Sequence, residues 1–174
     1  MIGKKMTDEI NKQINAEIYS SYLYLSMSAY FMLRNLAGFA NWTKIQAQEE
    51  LTHAMKFYNY LLERGAKVVL TTIEGPKTEW KDEVEVFSEI LNHEKKVTAL
   101  IHNLVNVATE EKDHASNSML QWFVNEQVEE EANAEKILQE LKMIAGNGFG
   151  ILMIDRELAS RVFVDSTQSA ANTN

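Results

Sequence analysis

Glu50 and His53 stand three residues apart in Glu50-Leu51-Thr52-His53, so on a helix one carboxylate and one imidazole face the same way and can reach one metal ion. Glu17, Glu94, Gln127 and Glu130 occupy positions where three-four repeats require apolar side chains. Four carboxyl groups converging in an apolar interior cannot all stay ionised without counter-charge, because each unpaired one costs several kcal/mol or takes up a proton. No inward Lys or Arg is expected near them, and two divalent ions would neutralise the set. Oxygen-rich ligation with a single imidazole suits Fe or Mn, with Zn able to occupy the site as an inhibitor.

Long helices must carry these groups. Residues 5–34 place Ile10, Ile14, Ser21, Tyr24, Ser28 and Phe31 on one face, and residues 39–65 do the same with Phe39, Trp42, Gln46, His53 and Phe57, ending at Gly65 as a left-handed C-cap. Two further runs, 83–111 and 114–144, carry Phe87, Ile90, Val97, Ile101 and Leu104, then Leu120, Phe123, Ala134, Ile137 and Leu141. Asp82, three residues before Glu85, is the expected N-cap of the third run.

The midpoints fall near about 19, 51, 97 and 129, so every candidate ligand lies within about one turn of mid-bundle. Short links make antiparallel hairpins of the first and second helices and of the third and fourth. The 17 residues from 66 to 82 reach about 56 Å when extended, enough to start the third helix at the same end as the second. The expected fold is an all-α, up-down-down-up four-helix bundle with that long crossover. After the Gly146-Asn147-Gly148-Phe149-Gly150 turn comes a short fifth helix from Ile151 to about Val164, so residues 1–164 form one domain and 165–174 a flexible polar tail. The glycine run follows a helix and lacks a following Lys-Ser/Thr, which favours a C-cap and hinge over a phosphate loop.

Composition narrows the functions further. The 174 residues include 7 Gly, 1 Pro and no Cys, which removes thiolate metal sites, iron-sulfur clusters and thiol catalysis. With 17 basic against 25 acidic residues the chain offers no basic stripe for nucleic acid. Met1–Lys5 leads straight into polar helical sequence, so no signal peptide or membrane span is expected and the cytoplasm is the default compartment.

Some assignments have two readings. Glu49, Glu126 and Glu129 adjoin ligand positions and either extend the site or form a solvated acidic face. Tyr24 is either a redox-active or ligand-orienting phenol or a core tyrosine with a satisfied hydroxyl. For the chain as a whole, one reading of the residues is a dinuclear redox enzyme acting on an organic substrate or peroxide.

Asn15-Ala16-Glu17-Ile18-Tyr19-Ser20-Ser21-Tyr22, Ala47-Gln48-Glu49-Glu50-Leu51-Thr52-His53, His93-Glu94-Lys95 and Asn125-Glu126-Gln127-Val128-Glu129-Glu130-Glu131 together resemble the ferritins, more narrowly the prokaryotic non-haem ferritins. The resemblance implies hollow octahedral homo-oligomeric shells of 24 subunits that oxidise Fe(II) with dioxygen or hydrogen peroxide and store the ferric mineral. It implies one iron on Glu17, Glu50 and His53 with Gln127 nearby, and a second on Glu50 as a bridge with Glu94 and Glu130. A looser third iron draws on Glu49, Glu126, Glu129 and Glu130, and Tyr24 stands beside the centre. Leu51 and Gln127-Val128-Glu129-Glu130 depart from the bacterioferritin pattern, so no haem is expected.

Overall fold

The computed structural model describes residues 2–167. Among them the regular structure is five α-helices: α1 Lys4–Leu33, α2 Ala37–Glu63, α3 Glu83–Glu110, α4 His114–Ile144 and α5 Gly148–Leu158. The helix ends follow local chemistry. Asp82 accepts from the Glu85 amide at 2.9 Å to cap α3, and Asp113 accepts from the Ser116 amide at 3.1 Å to cap α4. Gly65, at φ 68°, takes the left-handed turn after α2.

The apolar core is divided into two blocks. Met6, Ile10 and Ile14 of α1 join Phe57 and Leu61 of α2, Val97, Ile101 and Leu104 of α3, and Leu120 and Phe123 of α4. Leu23, Met27 and Phe31 of α1 join Phe39 and Trp42 of α2, Val86, Phe87 and Ile90 of α3, and Ala134, Ile137 and Leu141 of α4. Along the chain, α1 and α4 run from the first block to the second, while α2 and α3 run from the second to the first. The bundle is therefore up-down-down-up, as expected.

The crossover follows α1 for most of its length. Asn11 donates to the Lys67 carbonyl at 3.1 Å, Asn15 to Thr71 Oγ1 at 2.8 Å, and Ser26 to the Lys77 carbonyl at 2.7 Å. Residues 11, 15 and 26 meet 67, 71 and 77 in the same order, so the link travels a helix length before α3 starts. Within the bundle α1 packs on α2 and α3 on α4, and α1 also touches α3. Between α2 and α4 no Cα atoms come within 8 Å. Side chains cross that wider gap, with Phe57 stacked on Phe123 at 3.9 Å between centroids.

The fifth helix differs from the expected 151–164. It begins at Gly148 because the Asn147 side chain accepts from the amides of Phe149 and Gly150 at 3.0 and 3.1 Å, making the glycine run its first turn. It ends at Leu158, leaving residues 161–165 without regular structure. The helix docks on the start of α2, whose own N-cap, Leu36, has no capping side chain. Asp155 supplies the missing acceptor, taking the amides of Gly38 and Phe39 at 2.8 and 3.0 Å. A Cβ on Gly38 would lie 1.6 Å from the Asp155 carbonyl oxygen, so this approach requires glycine. Of the expected tail, Ser166 donates to Glu126 at 3.1 Å, and residues 168–174 lie outside the described residues.

Candidate dinuclear metal centre

Between the two apolar blocks lies a band of buried polar groups: Glu17 from α1, Glu50 and His53 from α2, Glu94 from α3, and Gln127 and Glu130 from α4. Donor atoms of Glu17, Glu50 and His53 lie within 4.8 Å of one another, and those of His53, Glu126 and Glu130 do the same. His53 belongs to both sets. Its Nδ1 is 3.4 Å from Glu50 Oε2, and its ring stands edge-on to Trp122 and Phe123.

Neutral donors hold each carboxyl group from one side. Gln13, one turn before Glu17, donates to its Oε1 at 2.8 Å. Gln46, one turn before Glu50, donates to Glu50 Oε1 at 3.3 Å and to Glu130 Oε2 at 2.7 Å. The Tyr24 hydroxyl donates to Glu94 Oε1, and the Gln127 amide reaches the Glu94 carbonyl at 3.3 Å and Thr98 Oγ1 at 3.2 Å. With the carboxyl groups ionised, two buried ligand-type atoms in the band, Glu17 Oε2 and His53 Nε2, have no hydrogen-bond partner, while a protonated Glu17 shares its proton with Glu50. Buried polar atoms are rarely left so, and here both are lone-pair donors of the kind a metal ion takes.

Burial, and then the nearby Glu50 carboxylate, push Glu17 and Glu94 up to about 8. Glu50 and Glu130 are raised by burial and then by neighbouring carboxylates, Glu130 acting on Glu50 and Glu94 on Glu130. Without a metal ion the band is kept stable by protons. Burial and the Glu94 charge hold the Tyr24 phenol well above its ordinary value, so it remains a donor to Glu94. This contact fits both a phenol that orients Glu94 and a core tyrosine whose hydroxyl is satisfied.

The remaining candidates divide. Glu126 joins His53 and Glu130, whereas Glu49 pairs with Arg161 at 2.5 Å and Glu129 is exposed, outside both donor sets. Arg161 corrects the expectation of a site with no nearby base. It enters from the segment after α5, 112 residues from Glu49, where helical periodicity has no bearing. Gln13 and Gln46 orient Glu17 and Glu50 through i,i+4 spacings that are visible in the sequence. His93, beside Glu94 in the chain, sits outside the donor sets with Nε2 2.8 Å from Ser20 Oγ, and burial lowers it to about 4.

The fold and this band define a class, the four-helix bundles whose core carries a carboxylate and histidine donor set that could hold metal. A family model for the ferritin-like domain matches residues 7–144, and the chain belongs to the ferritin family. It is 44% identical over 161 residues to a bacterial non-heme ferritin of Bacteroides fragilis, covering 92% of this chain and 100% of that protein. A bacterial non-heme ferritin of Staphylococcus saprophyticus is 38% identical over 166 residues, covering 95% of this chain and 99% of that one. Among solved structures, the open-pore ferritin of the archaeon Archaeoglobus fulgidus superimposes with a TM-score of 0.92 at 48% identity, covering 92% of this chain and 98% of its own.

Proposed function

We propose that the chain stores iron in the cytoplasm: it binds paired Fe(II) in the mid-bundle band, oxidises it with dioxygen or hydrogen peroxide, and deposits the ferric product inside a homo-oligomeric shell. Glu17, Glu50 and His53 hold one ion, while Glu50, Glu94 and Glu130 hold the other, with Gln127 and Tyr24 orienting Glu94. The observation that carries this is the pairing of unpartnered Glu17 Oε2 and His53 Nε2 inside a cluster of four buried carboxyl groups. Metal ions supply the missing partners and the missing charge together.

The chemistry balances simply. Each Fe(II) gives up one electron, and two electrons with two protons take dioxygen to hydrogen peroxide, or hydrogen peroxide to two waters. The protons that the empty band holds leave as the carboxylates take metal, so binding releases protons. Phe149, Leu152 and Met153 of α5 are exposed and provide apolar area for neighbouring subunits.

Aerobic Fe(II) addition to the purified protein, followed by sizing and iron counting, tests this. The expected result is a particle of about 480 kDa, for 24 chains of 19.9 kDa, holding iron far in excess of two ions per chain. A small species that oxidises iron but retains no mineral supports the dinuclear redox enzyme instead.

A further inference from the structure

Arg161 is held at three points beside the metal band. Its guanidinium donates to Glu49 Oε2 at 2.5 Å and to Gln46 Oε1 at 2.9 Å, and lies 4.7 Å from the Trp42 ring centroid. Asn41 fixes the backbone there, donating to the Arg161 carbonyl at 3.0 Å and to the Leu158 carbonyl at 3.3 Å. The segment then continues past the band to Ser166, which donates to Glu126 at 3.1 Å. Glu49 and Glu126, the two outer carboxylates flanking His53, are thus both engaged by one short stretch of chain.

We propose that Arg161 is a built-in counter-cation that a metal ion must displace from Glu49, so that it sets the loading threshold of the outermost iron position. This rests on the dinuclear reading above and on the third, looser iron that the resemblance implies at Glu49. A divalent ion on the Glu49 carboxylate would sit against a guanidinium on the same group, and like charges repel strongly in a partly buried setting. The Gln46 amide links this latch to the inner pair. Its oxygen accepts from Arg161 while its nitrogen donates to Glu130 and Glu50.

Calorimetric titration of the iron-free assembled protein with Zn(II) tests the latch without any redox turnover. The parent should show two tight binding events per chain and a weaker third. Arg161→Gln removes the charge and should tighten the third event about tenfold, with the first two unchanged, while Arg161→Lys should give a smaller shift. Glu49→Gln should abolish the third event in both backgrounds. A third event unmoved by Arg161→Gln, with the two tight events intact, overturns the latch alone. Absence of the two tight events in the parent overturns the dinuclear reading and the latch with it. An equal fall in all three affinities in Arg161→Gln, accompanied by a lower unfolding midpoint, assigns Arg161 a merely structural role and also overturns the proposal.

Discussion

On either side of the carboxylate band the helices pack as apolar seams, with Phe57 on Phe123 at one end and Phe31 on Phe39 at 5.1 Å at the other. Within the band, on the same helix faces, four glutamates and a histidine replace apolar side chains and leave two lone-pair atoms unmatched. The blocks gain free energy from the water they exclude, whereas the band loses it until protons or metal ions arrive. Stability and function are thus separated along the bundle axis.

Substitution in an apolar block should have the largest effect and ignore metal. Phe57→Ala deletes one partner of the stacked pair and should cost about 3–5 kcal/mol, with or without Zn(II), as read from denaturant midpoints. A loss that appears only with metal present would break the comparison.

In the band the metal decides the outcome. Zn(II) at a hundred times its Kd should stabilise the parent by about 2.7 kcal/mol, and Glu130→Ala should lose most of that. Without metal the variant should be no less stable than the parent unless its cavity outweighs the repulsion removed. A large metal-free destabilisation would show that the packing and the Gln46 hydrogen bond of Glu130 outweigh its repulsion of the other carboxyl groups.

The pH profile sharpens the contrast. Glu17 and Glu94 titrate near 8 in the folded chain against 4.5 as ordinary glutamates. The folded state therefore binds more protons than the unfolded state between those values, and metal-free stability is full below 4.5 and is lost as pH rises through about 8. Unfolding midpoints of the metal-free protein should fall from pH 5 to pH 9, and Glu17→Gln should flatten the fall. Zn(II) affinity should run the opposite way, rising with pH as the ligands lose protons. A metal-free midpoint that rises over this range would contradict the buried-carboxyl account.

Tyr24→Phe should have the smallest effect, about 1 kcal/mol for the lost hydrogen bond to Glu94. Fe(II) oxidation should slow without disappearing. Complete loss of oxidation would move Tyr24 from an orienting role to an essential one.

The four long helices and the shared height of the candidate residues were legible in the sequence because both depend on local periodicity, and the expected ends at 34, 65, 111 and 144 match observed ends at Leu33, Glu63, Glu110 and Ile144. The cap at Asp82 was legible for the same reason. The start of α5 was not, since glycines in a first turn look like a loop until Asn147 is seen accepting their amides. Arg161 was illegible for a different reason. Its position depends on Asp155 docking α5 against Gly38, a contact 117 residues apart that no periodic pattern encodes.

On the proposed function, the band oxidises iron as a pair held by Glu50, His53 and Glu130. Stopped-flow measurement of Fe(II) oxidation at two ions per chain, on the parent and on His53→Ala and Glu130→Ala, tests it most directly. A rapid phase in the parent that is lost in each variant is the predicted result. Unchanged rapid oxidation in both variants would contradict the assignment.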